Sequence, residues 1–138
     1  MSRTYALLIS GFLSAGFLAT GCVPKREVTI EEVPSIKKLD DLMAAQSTIA
    51  DPQFKKRDQA TFTDAELTNL VDVSAKIQAT SLHIKDFSKG AGFDALAVKL
   101  HDDAAALGTA ASAKDAAGVR ASLTAMKNTC KECHKQFR

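Results

Sequence analysis

Cys130-Lys131-Glu132-Cys133-His134 lies near the end of the 138-residue chain, and the rest of the sequence is read outward from it. If the segment is helical, Cys130, Cys133 and His134 stand at i, i+3 and i+4, on one face. Lys131 and Glu132 then point away and need only be soluble. C-x-x-C-H is the attachment signature of c-type haem. Two thiols one turn apart can each form a thioether to a vinyl group at a porphyrin edge, and the next imidazole is placed under the iron as proximal ligand. The same letters also occur in zinc sites and in dithiol redox motifs. A zinc site asks for four ligands, usually with a second Cys/His pair at close spacing. Here the other histidines, His83 and His101, are isolated on separate segments. A redox dithiol is expected beside a βαβ pattern, and no β pattern is present. The context favours covalent haem c, one per chain.

Upstream of the motif, Val119, Leu123, Met126, Cys130, Cys133 and Phe137 recur by fours and threes. That spacing predicts a helix with the two cysteines on its buried seam. Asp115 is a candidate N-cap for it. Arg120, Lys127, Lys131 and Lys135 fall off the seam, and the last of them suit the negative end of the helix dipole. A preceding helix is expected over about 93–111, with Leu96, Leu100, Ala104 and Leu107 inward. Ser88-Lys89-Gly90-Ala91-Gly92 breaks it from the helix before. That helix begins at the capping box Thr63-Asp64-Ala65-Glu66. Its inner face is expected at Leu67, Leu70/Val71, Ser74, Ile77/Gln78, Ser81 and Ile84. The first helix is expected over about 35–50, with Ile36, Leu39, Leu42/Met43, Gln46 and Ile49 inward, and Asp51-Pro52 stopping it. A loop follows, anchored by Phe54 and Phe62, with Lys55-Lys56-Arg57 in solvent.

The expected fold is all-α, an antiparallel four-helix bundle with short connections. Haem would lie covalently bound between the C-terminal helix and the opposite wall. With one Tyr, no Trp and many alanines, the core is slim, and the porphyrin itself would complete it.

The start of the chain reads as a separate segment. Arg3 opens residues 1–22, and Tyr5 to Ala19 is a nearly continuous apolar run. It falls short of the ~20 apolar residues a comfortable membrane span needs, so it reads as a secretory signal peptide. Leu18-Ala19-Thr20-Gly21-Cys22 resembles a bacterial lipobox, shifted by one place, in which Cys22 would be lipidated after cleavage. Ordinary cleavage around Ala19-Thr20-Gly21 is the alternative. Residues 23–34, with Pro24, Pro34 and five charges, read as a polar tether. Residues 35–138 make one domain. Without Arg3 the basic side chains fall from 18 to 17, against 16 acidic. That near-neutral balance suggests no nucleic-acid partner, and no nucleophile–base pair suggests an enzyme.

A C-terminal C-x-x-C-H on the last helix of a four-helix domain, behind an export signal, resembles the class II cytochromes c. That family includes five-coordinate cytochromes c′ and six-coordinate low-spin cytochromes c556. The ending from Cys130 to Arg138 carries the resemblance, with an aromatic and an arginine just after the histidine. It implies covalent haem at Cys130 and Cys133 and a proximal ligand at His134. It also implies packing of Phe137 on the proximal side and a place for Arg138 near the haem. Periplasmic export and redox partner proteins are further implications. Many relatives dimerise through their first two helices, so the resemblance allows a homodimer, and a lipidated Cys22 would add a membrane tether.

A sixth ligand must reach the other face of the porphyrin. Met1 leaves with the signal, and Met126 lies eight residues before His134 on the same helix, ~12 Å along its axis. Met43 remains, on the inner face of the first helix, where low-spin members of the family carry a methionine. A methionine at helical spacing is otherwise a core residue. His83 and His101 are weaker candidates, the second beside Asp102-Asp103 on a solvated face. With Met43 bound, the expectation is a one-electron carrier. Without it, the expectation is a five-coordinate module for nitric oxide or carbon monoxide.

Overall fold

The computed structural model describes residues 27–138. Among them are four α-helices, α1 (Leu39–Phe54), α2 (Asp64–Ile84), α3 (Ala91–Ser112) and α4 (Ala116–Phe137), with two short 3-10 helices and no strand. The fold is a helical bundle.

Local chemistry starts the helices where caps are present. Thr63 Oγ1 accepts from the Glu66 amide at 3.3 Å, and Glu66 Oε2 accepts from the Thr63 amide at 2.9 Å. That reciprocal pair satisfies two amides at the start of α2. Asp115 Oδ1 accepts from the Ala117 amide at 3.1 Å and starts α4. Before α3 the chain turns at Gly90, whose φ of +112° lies where side chains are strained. The helix begins directly after it, at Ala91, two residues ahead of the expected Phe93.

Leu42 and Ile49 of α1, Leu70 and Ile77 of α2, Leu107 of α3, and Val119, Leu123 and Met126 of α4 are all within 1% of complete burial. Small residues bring α2 and α3 close. Ser74 Oγ donates to the Ala104 carbonyl at 2.7 Å, and a Cβ on Gly108 would fall 2.5 Å from that hydroxyl. Along the same pair, Lys114 past the end of α3 meets Asp64 at the start of α2, at 2.7 Å. Between α3 and α4, Thr129 Oγ1 donates to Asp103 Oδ2 at 2.6 Å, and Phe93 stacks on Phe137.

Three expectations are corrected. Helix α1 starts at Leu39 rather than Ser35, because residues 30–35 form a 3-10 helix containing Pro34 that buries Val33. Residues 27–34 therefore lie on the bundle instead of hanging as a tether. Glu27 pairs with Lys76 at 3.0 Å, and Val28 packs against the core. Just beyond them, the Ile36 carbonyl meets His83 Nε2 at 2.8 Å. The rest of the expected tether, the expected signal and Cys22 fall outside the described residues.

At its other end α1 runs through Pro52 to Phe54. A helical proline removes one backbone bond, but continuing the helix buries Gln53 and Phe54 on the bundle. On α2 the expected Leu67, Leu70, Ser74, Ile77, Ser81 and Ile84 are buried, joined by Val73 and Thr80, while Val71 is exposed. No described helix is long and apolar enough to cross a membrane.

Candidate functional site

Helices α1 and α4 border a cleft of about 750 Å³, with Ile77, Ile84, Phe93 and Leu100 of α2 and α3 behind it. Cys130, Cys133, His134, Phe137 and Arg138 line it from α4, and Met43 lines it from α1. The site residues read from the sequence, Cys22 aside, are thus gathered around one cavity.

The α4 wall is set by the seam. Burying Val119, Leu123, Met126 and Thr129 fixes the rotation of the helix. Cys130 and Cys133, further along that seam, come out half-buried at the cleft, and His134 is exposed. Two contacts hold this wall to α3. Thr129 bonds Asp103, which also pairs with Lys99 at 2.9 Å. Phe137 meets Phe93 edge to face, with ring centroids 5.3 Å apart, a favoured aromatic geometry.

The α1 wall carries Leu39, Met43, Gln46, Ala50 and Phe54. Met43 is half-buried. Gln46, one turn on, is buried and donates from Nε2 to Thr80 Oγ1 at 3.2 Å and to Ser81 Oγ at 3.5 Å. Both hydroxyls give their own protons to carbonyls of α2, so each is free to accept. Lys127 of α4 sits 5.8 Å over the Phe54 ring and joins the two walls through a cation–π contact.

Burial pushes the Cys130 thiol up to about 11, with the charges of Cys133, Asp51 and Asp103 adding to it. Burial also raises Cys133, opposed by nearby Lys89. Neither thiol is shifted down toward the range of reactive dithiols. Among the described residues no group of three or more His, Cys, Asp or Glu side chains is arranged to hold a metal ion.

Neither competing histidine lines the cleft. His83 holds Asp86 Oδ2 at 2.9 Å through Nδ1 and the Ile36 carbonyl through Nε2, with its ring against Phe87. It fastens the start of the described chain to α2. His101 faces Asp102 at 3.0 Å. Met126 lines the cleft from α4, on the helix of His134.

Sequence reasoning missed Lys89, Phe93 and Asp103. Asp103 and Phe93 fall at helical positions without a distinguishing pattern, and Lys89 sits in a glycine-rich break. Their contacts with α4 reach 26 or more residues along the chain, so no local signal marks those contacts.

The residues present fit a covalently attached haem. The cavity falls within the roughly 300–1,000 Å³ usual for ligand and cofactor pockets, and its lining is mostly apolar. Two thiols and an imidazole line one side and a thioether the other. Lys89, Lys127, Lys131 and Arg138 line it alongside Asp40 and Asp51, a net positive balance suited to carboxylates.

Searches of curated proteins and of solved structures find no significant match to the chain. A family model described as cytochrome c′ matches residues 37–138, which take in all four helices and every lining residue of the cleft. The chain is therefore a c-type haem protein belonging to the cytochrome c′ family.

Proposed function

We propose that the protein is an exported one-electron carrier whose haem c is attached through Cys130 and Cys133 and ligated by His134 and Met43. The observation that carries this reading is that Met43 on α1 and His134 on α4 line the same cleft. Haem c, when bound, supplies a one-electron ferric/ferrous couple whose potential is raised by His/Met ligation. The chain's residues bind and orient it. Each thiol adds across a vinyl double bond, its sulfur to one carbon and its proton to the other. The apolar lining keeps water from the macrocycle, Phe137 packs on the proximal side, and Arg138 and the lysines around the cleft face carboxylates or an acidic redox partner. The register of contacts between α2 and α3, and between α3 and α4, supports an antiparallel arrangement.

Residues 1–22 serve as the export signal in this reading, with lipidation at Cys22 anchoring the protein on the periplasmic side of the membrane. The haem domain in this reading includes residues 27–34 as well as 35–138, and a homodimer through the first two helices is compatible with it.

The family description favours a second reading. In it Met43 stays a half-buried core residue, the iron is five-coordinate, and the site takes up nitric oxide or carbon monoxide. Visible spectra of the purified protein separate the two. A low-spin ferric spectrum with the weak red band of methionine ligation, lost in Met43→Ala, supports the carrier. A high-spin ferrous spectrum that shifts at once with carbon monoxide supports the gas-binding module and rules out Met43 as a strong ligand.

A further inference from the structure

We propose that Lys89 is a positioning residue for His134, holding the last turn of α4 from outside that helix; this rests on His134 being the haem ligand. The last four carbonyls of an α-helix have no intrahelical donor. In α4 the His134 carbonyl accepts from the Arg138 amide at 3.3 Å, and the Phe137 carbonyl accepts from Lys89 Nζ at 2.9 Å. A cation placed there also meets the negative end of the helix dipole.

Lys89 arrives from the connection before α3, next to the turn at Gly90. Its ammonium lies 5.9 Å over the ring of Phe93, and Phe93 stacks edge to face on Phe137. A Cβ on Gly92 would fall 3.5 Å from the same Phe137 ring. One short segment, residues 89–93, therefore grips the last turn of α4 by its backbone and by its side chain. His134 sits one turn before Phe137 and is itself exposed. Its own burial does not hold it, and an exposed terminal turn frays unless tied down. The tie comes from Lys89 and Phe93.

The test uses the holoprotein. Lys89→Met keeps the aliphatic stem and removes the donor and the charge, whereas Lys89→Arg keeps both. Lys85→Met removes an exposed cation from the same connection and serves as the charge control. Two quantities are read: hydrogen exchange at the amides of residues 134–138, and the ferric electron paramagnetic resonance spectrum, which reports how the imidazole meets the iron. In Lys89→Met the exchange is expected to quicken about two- to fivefold, and a second set of g-values is expected to appear. Lys89→Arg should restore both, and Lys85→Met should change neither. Unchanged exchange in Lys89→Met overturns the proposal. So does faster exchange with an unchanged resonance spectrum, because the grip would then have no bearing on the ligand. His134→Gly separates this failure from failure of the underlying reading. If its resonance spectrum matches the wild type, His134 is not the ligand and both fall, whatever the exchange shows.

Discussion

The α4 wall of the cleft carries its site residues on a helix capped by Asp115 and buried at Val119, Leu123 and Met126, whereas the α1 wall carries Met43 on a helix whose N-cap, Lys38, makes no side-chain cap bond. The α4 wall is also tied to α3 twice, through Thr129–Asp103 and Phe137–Phe93. The α1 wall reaches α2 through the amide of Gln46 and has a proline in its last turn. On the proposed reading, attachment and proximal ligation stand on the more firmly held helix, and the sixth position on the less firmly held one. In that reading a single bundle would keep covalent haem while the placement of one helix decides between a closed and an open iron.

The largest effect should come from the α4 wall itself. Cys130→Ser with Cys133→Ser should reduce haem staining on a denaturing gel to background, while Met43→Ala keeps the full stain. Staining that survives the double substitution would break the assignment of attachment to this wall.

Core truncation comes next. Leu123→Ala, at a fully buried site, should cost about 2–5 kcal/mol in urea unfolding. Leu39→Ala, half-buried on the α1 wall, should cost about 1 kcal/mol. Equal losses would mean that the two walls are equally firm.

The caps should give smaller changes of opposite sign. Asp115→Ala should cost about 1 kcal/mol by removing the bond to the Ala117 amide. Lys38→Ser should gain about 0.5 kcal/mol by supplying the cap that α1 lacks. In Lys38→Ser, a larger low-spin fraction in the visible spectrum would sharpen the link between α1 and the sixth ligand.

The smallest effect lies away from both walls, at the capping box of α2. Bonds from the Thr63 backbone, from Gln59 and from the Thr63 hydroxyl hold the half-buried Glu66 carboxyl below its usual value. A depressed folded pKa contributes stability above the unfolded value, and that contribution is lost as pH falls through the folded one. The urea midpoints of wild type and Glu66→Gln should differ at neutral pH and converge through the carboxylate range. A constant gap would show that the ionised carboxylate is not what stabilises the cap.

Much of this was legible in the chain because it depends on near neighbours. The caps at Thr63 and Asp115 are contacts between residues two or three apart. The seam from Val119 to Phe137 is a matter of helical period. The start of α1 was not legible. Whether residues 30–35 join the first helix or fold separately turns on the burial of Val33 and on His83, 47 residues beyond Ile36. Pro52 misled for a related reason. Its local preference ends a helix, and the burial of Gln53 and Phe54 overrides that preference.

The sequence by itself determined that Cys130, Cys133 and His134 share one face of the last helix, because i, i+3 and i+4 coincide on any α-helix. It also determined that Met43 was the methionine to watch, since Met126 shares a helix with His134. Only the tertiary structure decided that Met43 faces the same cleft as those residues, that His83 and His101 do not, and that Lys89 reaches the end of α4. Those outcomes depend on where separate helices cross and how each is rotated about its axis, and that is set by packing between residues far apart in the chain.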